Sequence, residues 1–496
     1  MKLIDRRALL GGAATRLLPA TGVAQGVAGA TAAAADPRRS PDPDSGESLA
    51  LARHVALTRF EAIPADALRM SRLSILDAIG VSMAASREEP ACRPFLEQAF
   101  DEGADGDAVV LGTGRRATTG FAALANGALA HALDYEDAHD PSRTHPNAAP
   151  VAAAVALASA RPGVTGREFV LAIALGSDVT CRISMAQGNV DELPRSFYPP
   201  AIAGTFGATA TAARLLGLTP GQTLDAFSLA LCQNACSAEI LSDAYSDLRA
   251  VRDGPCAQTA VQAAQLARRG VRGFARPIEG QRGLYAMVSG GRHVPGRLTA
   301  GLGQRFEGQF VGFKAWPACR DAHPFIQAVL AGMQRDRLDP AQIAALRASV
   351  PQRSLIICEP ADEKRRPRAA IDAKFSLYFT VATALRYGKV DLGSFAPAAL
   401  SEAATLALAD RVHYVVSRDA AHIDVTLRDG SMRRWEAGAL YGSPENPLSE
   451  AALVAKFMDC GRAAQRPVAA TALQDISRRL LALEQVPDMR DLLRQL

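Results

Sequence analysis

Residues 120–135 read GFAALANGALAHALDY and residues 148–160 read AAPVAAAVALASA. Alanine and leucine recur in both at three- and four-residue spacing, which is the period of a helix and not of a strand. The side chains are small, so the spacing also predicts that these helices lie close against their neighbours. The same pattern continues outward in residues 66–86 (DALRMSRLSILDAIGVSMAAS), 166–186 (GREFVLAIALGSDVTCRISMA), 203–217, 223–240 and 257–270, most with a Gly or Pro near one end. Residues 48–301 are therefore expected to form one all-α domain.

The character changes after Gly301. Short alternating stretches appear at 345–359 (ALRASVPQRSLIICE) and 413–437 (HYVVSRDAAHIDVTLRDGSMRRWEA), where Asp429-Gly430 is a hairpin turn signal. Helical segments, HPFIQAVLAGMQ and DAKFSLYFTVATALRYG, lie between them. We expect a smaller α+β domain over 302–442, and helices from Asn446 onward that complete the first domain over 443–496. The fold class is mainly α: a large all-α helical domain plus a smaller α+β lid domain.

Composition narrows the function. The 496 residues are 48% hydrophobic and 5% aromatic, enough for a large buried core and long enough for two domains. A net charge of +4 from 55 basic and 51 acidic residues, with no basic block interleaved with aromatics, argues against nucleic acid as a partner. Only six of the basic residues are lysines (Lys2, Lys314, Lys364, Lys374, Lys389 and Lys456), a scarcity that reads as compositional bias. The eight cysteines form no C-x-x-C pair and no cluster, so neither a disulfide scaffold nor a zinc module is indicated. No segment past the N-terminus is expected to reach the roughly 20 apolar residues of a membrane span, and the mature protein is expected to be soluble.

Residues 1–35 carry Arg6-Arg7 ahead of a weakly apolar, Gly/Ala-rich stretch that ends at Ala33-Ala34-Ala35, the layout of a twin-arginine export signal. Arg16 interrupts the apolar stretch, and a cytoplasmic protein with a non-functional leader is the alternative. Residues 36–47 read as a polar, Pro-rich linker.

Four segments can carry chemistry. The densest is residues 134–146 (DYEDAHDPSRTHP), an irregular stretch between two Ala-rich helices with His131 one turn upstream. Its carboxylates and histidines supply the acid, base and orienting groups of proton transfer; an interhelical loop capped by Asp is the plainer reading. A metal held by His131, Asp134 and His145 is a third reading, without the spacing of a known metal motif, and no metal is expected. The second segment holds Arg249 and Arg252, three apart near a helix start and suited to a carboxylate, or to surface ion pairs. The third, residues 312–324 (GFKAWPACRDAHP), brings together Lys314, Cys319, Arg320 and His323; Cys319 with His323 would suit covalent catalysis, although lone cysteines are mostly core residues. In the fourth, Tyr198 stands before the Pro199-Pro200 helix start, as a hydrogen-bond donor or as a staple for the loop.

Taken in order, N-G-x-x-x-H-x-L-D-Y-E-D…H-P, then F-Y-P-P-x-x-x-G-T-F-G-A, then G-x-x-A-Q, then F-K-A-W-P-A-C-R-D-A-H and D-A-K-F-S-L-Y-F-T-V-A, this sequence resembles the MmgE/PrpD family from about Leu49 to the C-terminus. That family includes 2-methylcitrate dehydratase, cis-aconitate decarboxylase and iminodisuccinate epimerase. The resemblance implies a cofactor-independent, usually dimeric enzyme for small di- or tricarboxylic acids, with its site between a helical domain and a lid. It places the family's aspartate on Asp134, its histidine on His145 and its lysine on Lys314. The chain departs from the common pattern at Tyr198, where a histidine is usual, at Arg249 and Arg252, usually lysine and histidine, at Cys319, and at Phe379, where a tyrosine is usual and Tyr378 sits one residue early.

The expected reaction is therefore that of a lyase, dehydratase-like, moving a proton next to a carboxylate. His145 is expected to be the acid/base, with Asp134 orienting it and raising its pKa, and with Lys314 and Tyr198 completing the catalytic set. Arg249, Arg252, Arg320, Asp137 and His323 are the expected substrate contacts. An isomerase or epimerase on the same scaffold and a non-catalytic exported carboxylate-binding protein are the alternatives.

Overall fold

The helix Gly166–Ala186 lies against the helix Pro199–Leu215 so closely that side chains are excluded at the crossing. A Cβ on Gly176 would stand 2.7 Å from the Gly207 carbonyl oxygen, and one on Gly207 would stand 2.5 Å from that of Gly176. The Gly and Ala content of the sequence is thus spent on backbone approach, as its spacing predicts. A computed structural model describes residues 46–188, 196–241 and 246–496; the expected export leader and nearly all of the linker lie outside the described residues. At the linker's end the expectation needs correcting, because Glu47 already opens the helix Glu47–Leu57, held there by the backbone N–H of Ser48 on Glu279.

The fold is mainly α with a smaller α+β part. Further helices run Ala65–Glu88, Thr119–Ala132, Ala148–Ala160, Pro220–Gln233 and Asp253–Arg268. Two of them meet at a point that matters for the site: a Cβ on Gly127 would stand 2.3 Å from the carbonyl oxygen of Asp253, and one on Gly254 would stand 2.9 Å from that of Leu124. This contact brings the start of Asp253–Arg268, with Arg252 as its cap, beside the helix Thr119–Ala132, which carries His131 in its last turn.

Three expectations change. The helical part is not purely helical, because β1 (Ala108–Val110) and β2 (Arg115–Ala117) form a short antiparallel hairpin. The stretch 345–359 is only partly strand: β3 covers Ile343–Val350, and after Pro351 the chain turns into a 3-10 helix, Gln352–Ile357. One described helix, Gly166–Ala186, is long and apolar enough to cross a membrane, contrary to expectation, but 94% of its apolar window is buried inside the fold. Its Asp178 accepts from Arg182 Nε at 2.7 Å and from the Glu307 backbone N–H at 2.8 Å, which makes it a core helix.

The larger sheet adds β4 (Val412–Val416), β5 (His422–Leu427) and β6 (Met432–Glu436) in the order β4-β3-β5-β6, with β3 parallel to β4 and the other pairs antiparallel. Asp429-Gly430 forms the β5–β6 turn, with Gly430 at φ +84°. The helix His323–Asp336 covers this sheet, its Gly332 leaving room for the indole of Trp435, whose Nε1–H donates to Asp336 at 2.7 Å. The helices Glu450–Ala463 and Ala470–Leu481 return to pack on Ala65–Glu88. A single apolar cluster joins Leu76, Ala125 and Val155 to Phe325, Leu346, Trp435 and Phe457, so the change of character near Gly301 is one of secondary structure within a shared core.

Candidate active site

Where the helix Thr119–Ala132 ends, the chain turns sharply: Asp134 takes φ +48°, a left-handed conformation that residues other than glycine rarely adopt. Its neighbour segment is fixed by a two-way bridge, Ala138 N–H to Gly312 O and Gly312 N–H to Ala138 O, both 2.8 Å. Residues 134–146 and 312–320, far apart in sequence, therefore run side by side. Gly312 and Gly442 allow this: a Cβ on Gly312 would stand 2.5 Å from the Gly442 carbonyl oxygen.

Across this seam Lys314, fully buried, donates to the Asp134 carboxylate and, at 2.9 Å, to the Asp134 carbonyl. Burial alone would raise the Asp134 carboxyl, but the Lys314 ammonium, with His131 and His145 adding to its effect only when they are protonated at low pH, holds it well below the usual carboxylate range. Glu136 accepts from His131 Nδ1 and lies 3.2 Å from His145 Nδ1, which also donates to the Asp137 carbonyl at 2.8 Å. A carbonyl can only accept, so His145 carries its proton on Nδ1 and leaves the Nε2 lone pair free, 3.9 Å from Asp134 Oδ1. The His145 side chain is 17% exposed, whereas His131, Asp134, Glu136 and Lys314 are each 2% or less.

Here the structure reverses one expectation. The His145 pKa is not raised; burial pushes it down to about 3, with Lys314 and His131 adding to the fall and Glu136 and Asp134 only partly opposing it. Nor is Asp134 its orienting partner, since Glu136 and the Asp137 carbonyl hold the ring. His131, buried and near the charges of Arg252, Lys314 and Arg249, is likewise held well below its ordinary value. Both imidazoles are neutral at pH 7.

Around this centre the remaining expected residues divide. Arg252 is buried, 3.6 Å from Asp253, with its guanidinium 5.1 Å from the ring centre of Tyr198, the half-buried cap of the helix Pro199–Leu215. Arg249 stacks on Phe375 at 3.5 Å, and its buried Nε has no partner. Lys314, Arg249 and Arg252 thus bring cationic charge to the same centre, as an anionic substrate requires. The others are taken up elsewhere. Arg320 pairs with Asp140 at 3.1 Å; His323 is fully buried, its Nε2 on the Ala318 carbonyl at 3.1 Å and its ring edge-on to Trp316. Asp137 is buried, accepting from Asn147 at 2.5 Å, and its carboxyl is pushed up to about 7 by burial. In this structure Asp137 and His323 are enclosed and hydrogen-bonded within their own loops, and Arg320 is paired with Asp140 while its Nη1 has no hydrogen-bond partner. The Cys319 thiol, pushed up to about 12 by burial, is not a thiolate at neutral pH and cannot serve as the nucleophile. Tyr378 and Phe379 are both core residues, with the Tyr378 hydroxyl on the Cys358 carbonyl.

His131, Asp134, Glu136 and His145 offer ligand atoms all within 4.8 Å of one another, the spacing a divalent ion would use. The donor set does not suit one: the Lys314 ammonium already sits on the Asp134 carboxylate, where a second cation would be repelled. Two surface cavities, of about 340 and 330 Å³, share Arg161 and are lined by none of these residues; of their arginines, Arg161 donates to the Leu215 carbonyl and Arg214 to that of Ala56, both at helix ends. Sequence reading missed Glu136 as the group that fixes both imidazoles, although it stands inside the segment singled out.

The MmgE/PrpD N-terminal domain matches residues 49–296, and the MmgE/PrpD C-terminal domain matches residues 316–481. The chain belongs to the MmgE/PrpD family. It is 25% identical to the cis-aconitate decarboxylase of Homo sapiens over 352 residues, covering 68% of this chain and 71% of that protein. It is 24% identical over 482 residues to the cis-aconitate decarboxylase-like protein oryM of Aspergillus oryzae, covering 91% and 97%, and 23% identical to the Mus musculus cis-aconitate decarboxylase over 406 residues, covering 79% and 81%. These relatives support a lyase of carboxylic acids. In this MmgE/PrpD chain Asp134 lies in the first matched region, and Lys314, which meets it, lies two residues before the second.

Proposed function

We propose that this MmgE/PrpD protein is a lyase that removes or delivers a proton at a carbon next to a carboxylate of a small di- or tricarboxylic acid, by general acid/base chemistry and without a cofactor. The observation that carries the reading is His145: neutral, held by its Nδ1–H, with Nε2 free and partly exposed beside the Lys314–Asp134 pair. In the proposed step Nε2 takes the α-proton, and the electron pair left behind spreads onto the substrate carboxylate, which the cations Arg249 and Arg252 stabilise. Asp134 then faces the new imidazolium and holds its charge. In a dehydration that electron pair expels the β-hydroxyl, which leaves as water with a proton from the Tyr198 hydroxyl, over whose ring Arg252 lies. In a decarboxylation no α-proton is taken: carbon dioxide leaves, the C–C electron pair stays on the carbon, and the Tyr198 hydroxyl delivers the proton to it. The names of the curated relatives favour a decarboxylase among lyases. The proposal also includes export, supported by the Arg6-Arg7 leader, and a homodimer, supported by the family resemblance.

The test is a proton NMR time course in deuterated buffer with citrate, 2-methylcitrate and cis-aconitate, for the wild type and His145→Gln. Product signals or loss of an α-proton signal are expected from the wild type, and a loss of rate on the order of 10²-fold or more from His145→Gln. Full activity in His145→Gln would remove it as the base. A melting shift with an acid that is never turned over would favour a binding protein instead.

A further inference from the structure

Three of the four carbonyls from Ala132 to Tyr135, around the Asp134 turn, are each held by a different lysine. Lys374 Nζ donates to the Ala132 carbonyl at 3.1 Å, Lys314 Nζ to that of Asp134 at 2.9 Å, and Lys456 Nζ to that of Tyr135 at 2.6 Å. All three lysines are buried, in a chain with only six among its 55 basic residues. Lys374 comes from the helix Ala370–Lys374 and Lys456 from Glu450–Ala463, so the turn is gripped by parts of the chain about 240 and 320 residues away in sequence.

Each of the two outer lysines also holds the segment that carries Lys314. Lys456 Nζ donates to the Lys314 carbonyl at 3.0 Å, and the carbonyl of Lys374 accepts from the Cys319 N–H at 3.0 Å. Each has its own carboxylate on the helix Ala65–Glu88 or just past its end: Lys456 lies 2.7 Å from Asp77, and Lys374 lies 3.2 Å from Glu89. Lys456 further lies 3.7 Å from the centre of the Tyr135 ring. An ammonium presents three N–H groups in tetrahedral directions from one atom, so a carboxylate and two carbonyls can converge on a single point; a guanidinium spreads its donors over three nitrogens in a plane and needs its acceptors farther apart, as around Arg182. That accounts for lysine at these places in a chain that otherwise uses arginine.

We infer that Lys374 and Lys456 are positioning residues of the active site, which set the left-handed turn at Asp134 and its distance from Lys314 by clamping both segments from either end. The consequence for turnover rests on the function proposed above; the consequence for the turn does not. The experiment uses the full chain as Lys456→Met, Lys374→Met and Lys456→Arg, with Asp77→Asn and Glu89→Gln as milder variants that keep the lysine and remove its anchor. Two readouts are taken: kcat and KM on the acid that the wild type turns over, and amide hydrogen exchange of residues 132–138 against the β5–β6 hairpin.

The Met variants are expected to lose kcat by on the order of 10²-fold with KM changed less than about threefold, since misplacement by an ångström is enough for such a loss. Exchange should rise at 132–138 and not in the hairpin, and Lys456→Arg should not restore kcat. If the Met variants do not fold, the anchor variants should show the same pattern more weakly. Unchanged kcat, or exchange that rises equally in both regions, overturns the inference. A wild type that turns over no acid refutes the function, while local exchange in the variants still decides the positioning role.

Discussion

Replacing Asp137 by asparagine is expected to stabilise the protein above neutral pH. The Asp137 carboxyl is fully enclosed, and burial, with added repulsion from Asp77 and Glu136, pushes it up to about 7 from an ordinary 3.8; Asn147 opposes this only in part. A group whose folded pKa lies above its unfolded one contributes stability that is complete below 3.8 and is lost as pH rises through about 7. At roughly 1.4 kcal/mol per pH unit, the interval of about three units amounts to some 4 kcal/mol that the ionised wild type forgoes above pH 7. The amide introduced by Asp137→Asn carries no charge, and its oxygen still accepts from Asn147. Urea unfolding of both proteins from pH 4 to 8.5 gives the difference directly, and the difference cancels the opposite drift from His145 and His139, whose pKa values, lowered to about 3 and about 4, cost stability as pH falls below 6.5. The variant's advantage should be near its minimum at pH 4 and grow to a few kcal/mol by pH 8.5. A difference that does not change with pH would refute the assignment of Asp137 as a buried, neutral acid at low pH. A large rise in KM would place it among the substrate contacts.

Cys319→Ala should keep kcat within a few-fold, and iodoacetamide should leave the wild type active, because a thiol raised to about 12 presents no thiolate; loss of turnover in the variant would reinstate the nucleophile. Gly442→Ala should cost about 3 kcal/mol in urea unfolding, since the residue sits at φ +89° and a Cβ there would stand 1.9 Å from the Phe313 carbonyl oxygen. Wild-type stability in that variant would mean that the seam beside Lys314 is not closely packed.

The helical architecture is legible in the sequence because Ala and Gly at helical spacing have a direct physical meaning: Gly127, Gly176, Gly207 and Gly254 all stand where two backbones touch. The β1–β2 hairpin is not, because three-residue strands have too little alternation to register. The candidate site is half legible. Residues 134–146 stand out as a dense polar stretch between apolar helices, and Lys314 as a lysine in a loop. Lys374, Lys456, Asp77 and Glu89 do not, because each is a single charged residue in or beside an otherwise ordinary helix, and only the fold shows which of them face inward. The scarcity of lysine is visible and reads, from the sequence, as composition alone; that three of six gather at one turn can be seen only in three dimensions.

The reversal at His145 bears on how such a site works. A base should be unprotonated when the substrate arrives, and for His145 burial, with Lys314 and His131 beside it, secures that. The same surroundings make the ring a weak proton acceptor while the cleft is empty. In the reaction proposed above, a substrate with two or three carboxylates changes the balance, because its negative charges oppose Lys314 at His145 and Arg252, Lys314 and Arg249 at His131. Proton affinity at Nε2 then rises only once the carboxylates are in place, with Asp134 and Glu136 already set to receive the imidazolium. Basic strength is thus coupled to the charge of the ligand, and a neutral analogue of the same shape would leave His145 too weak a base to act.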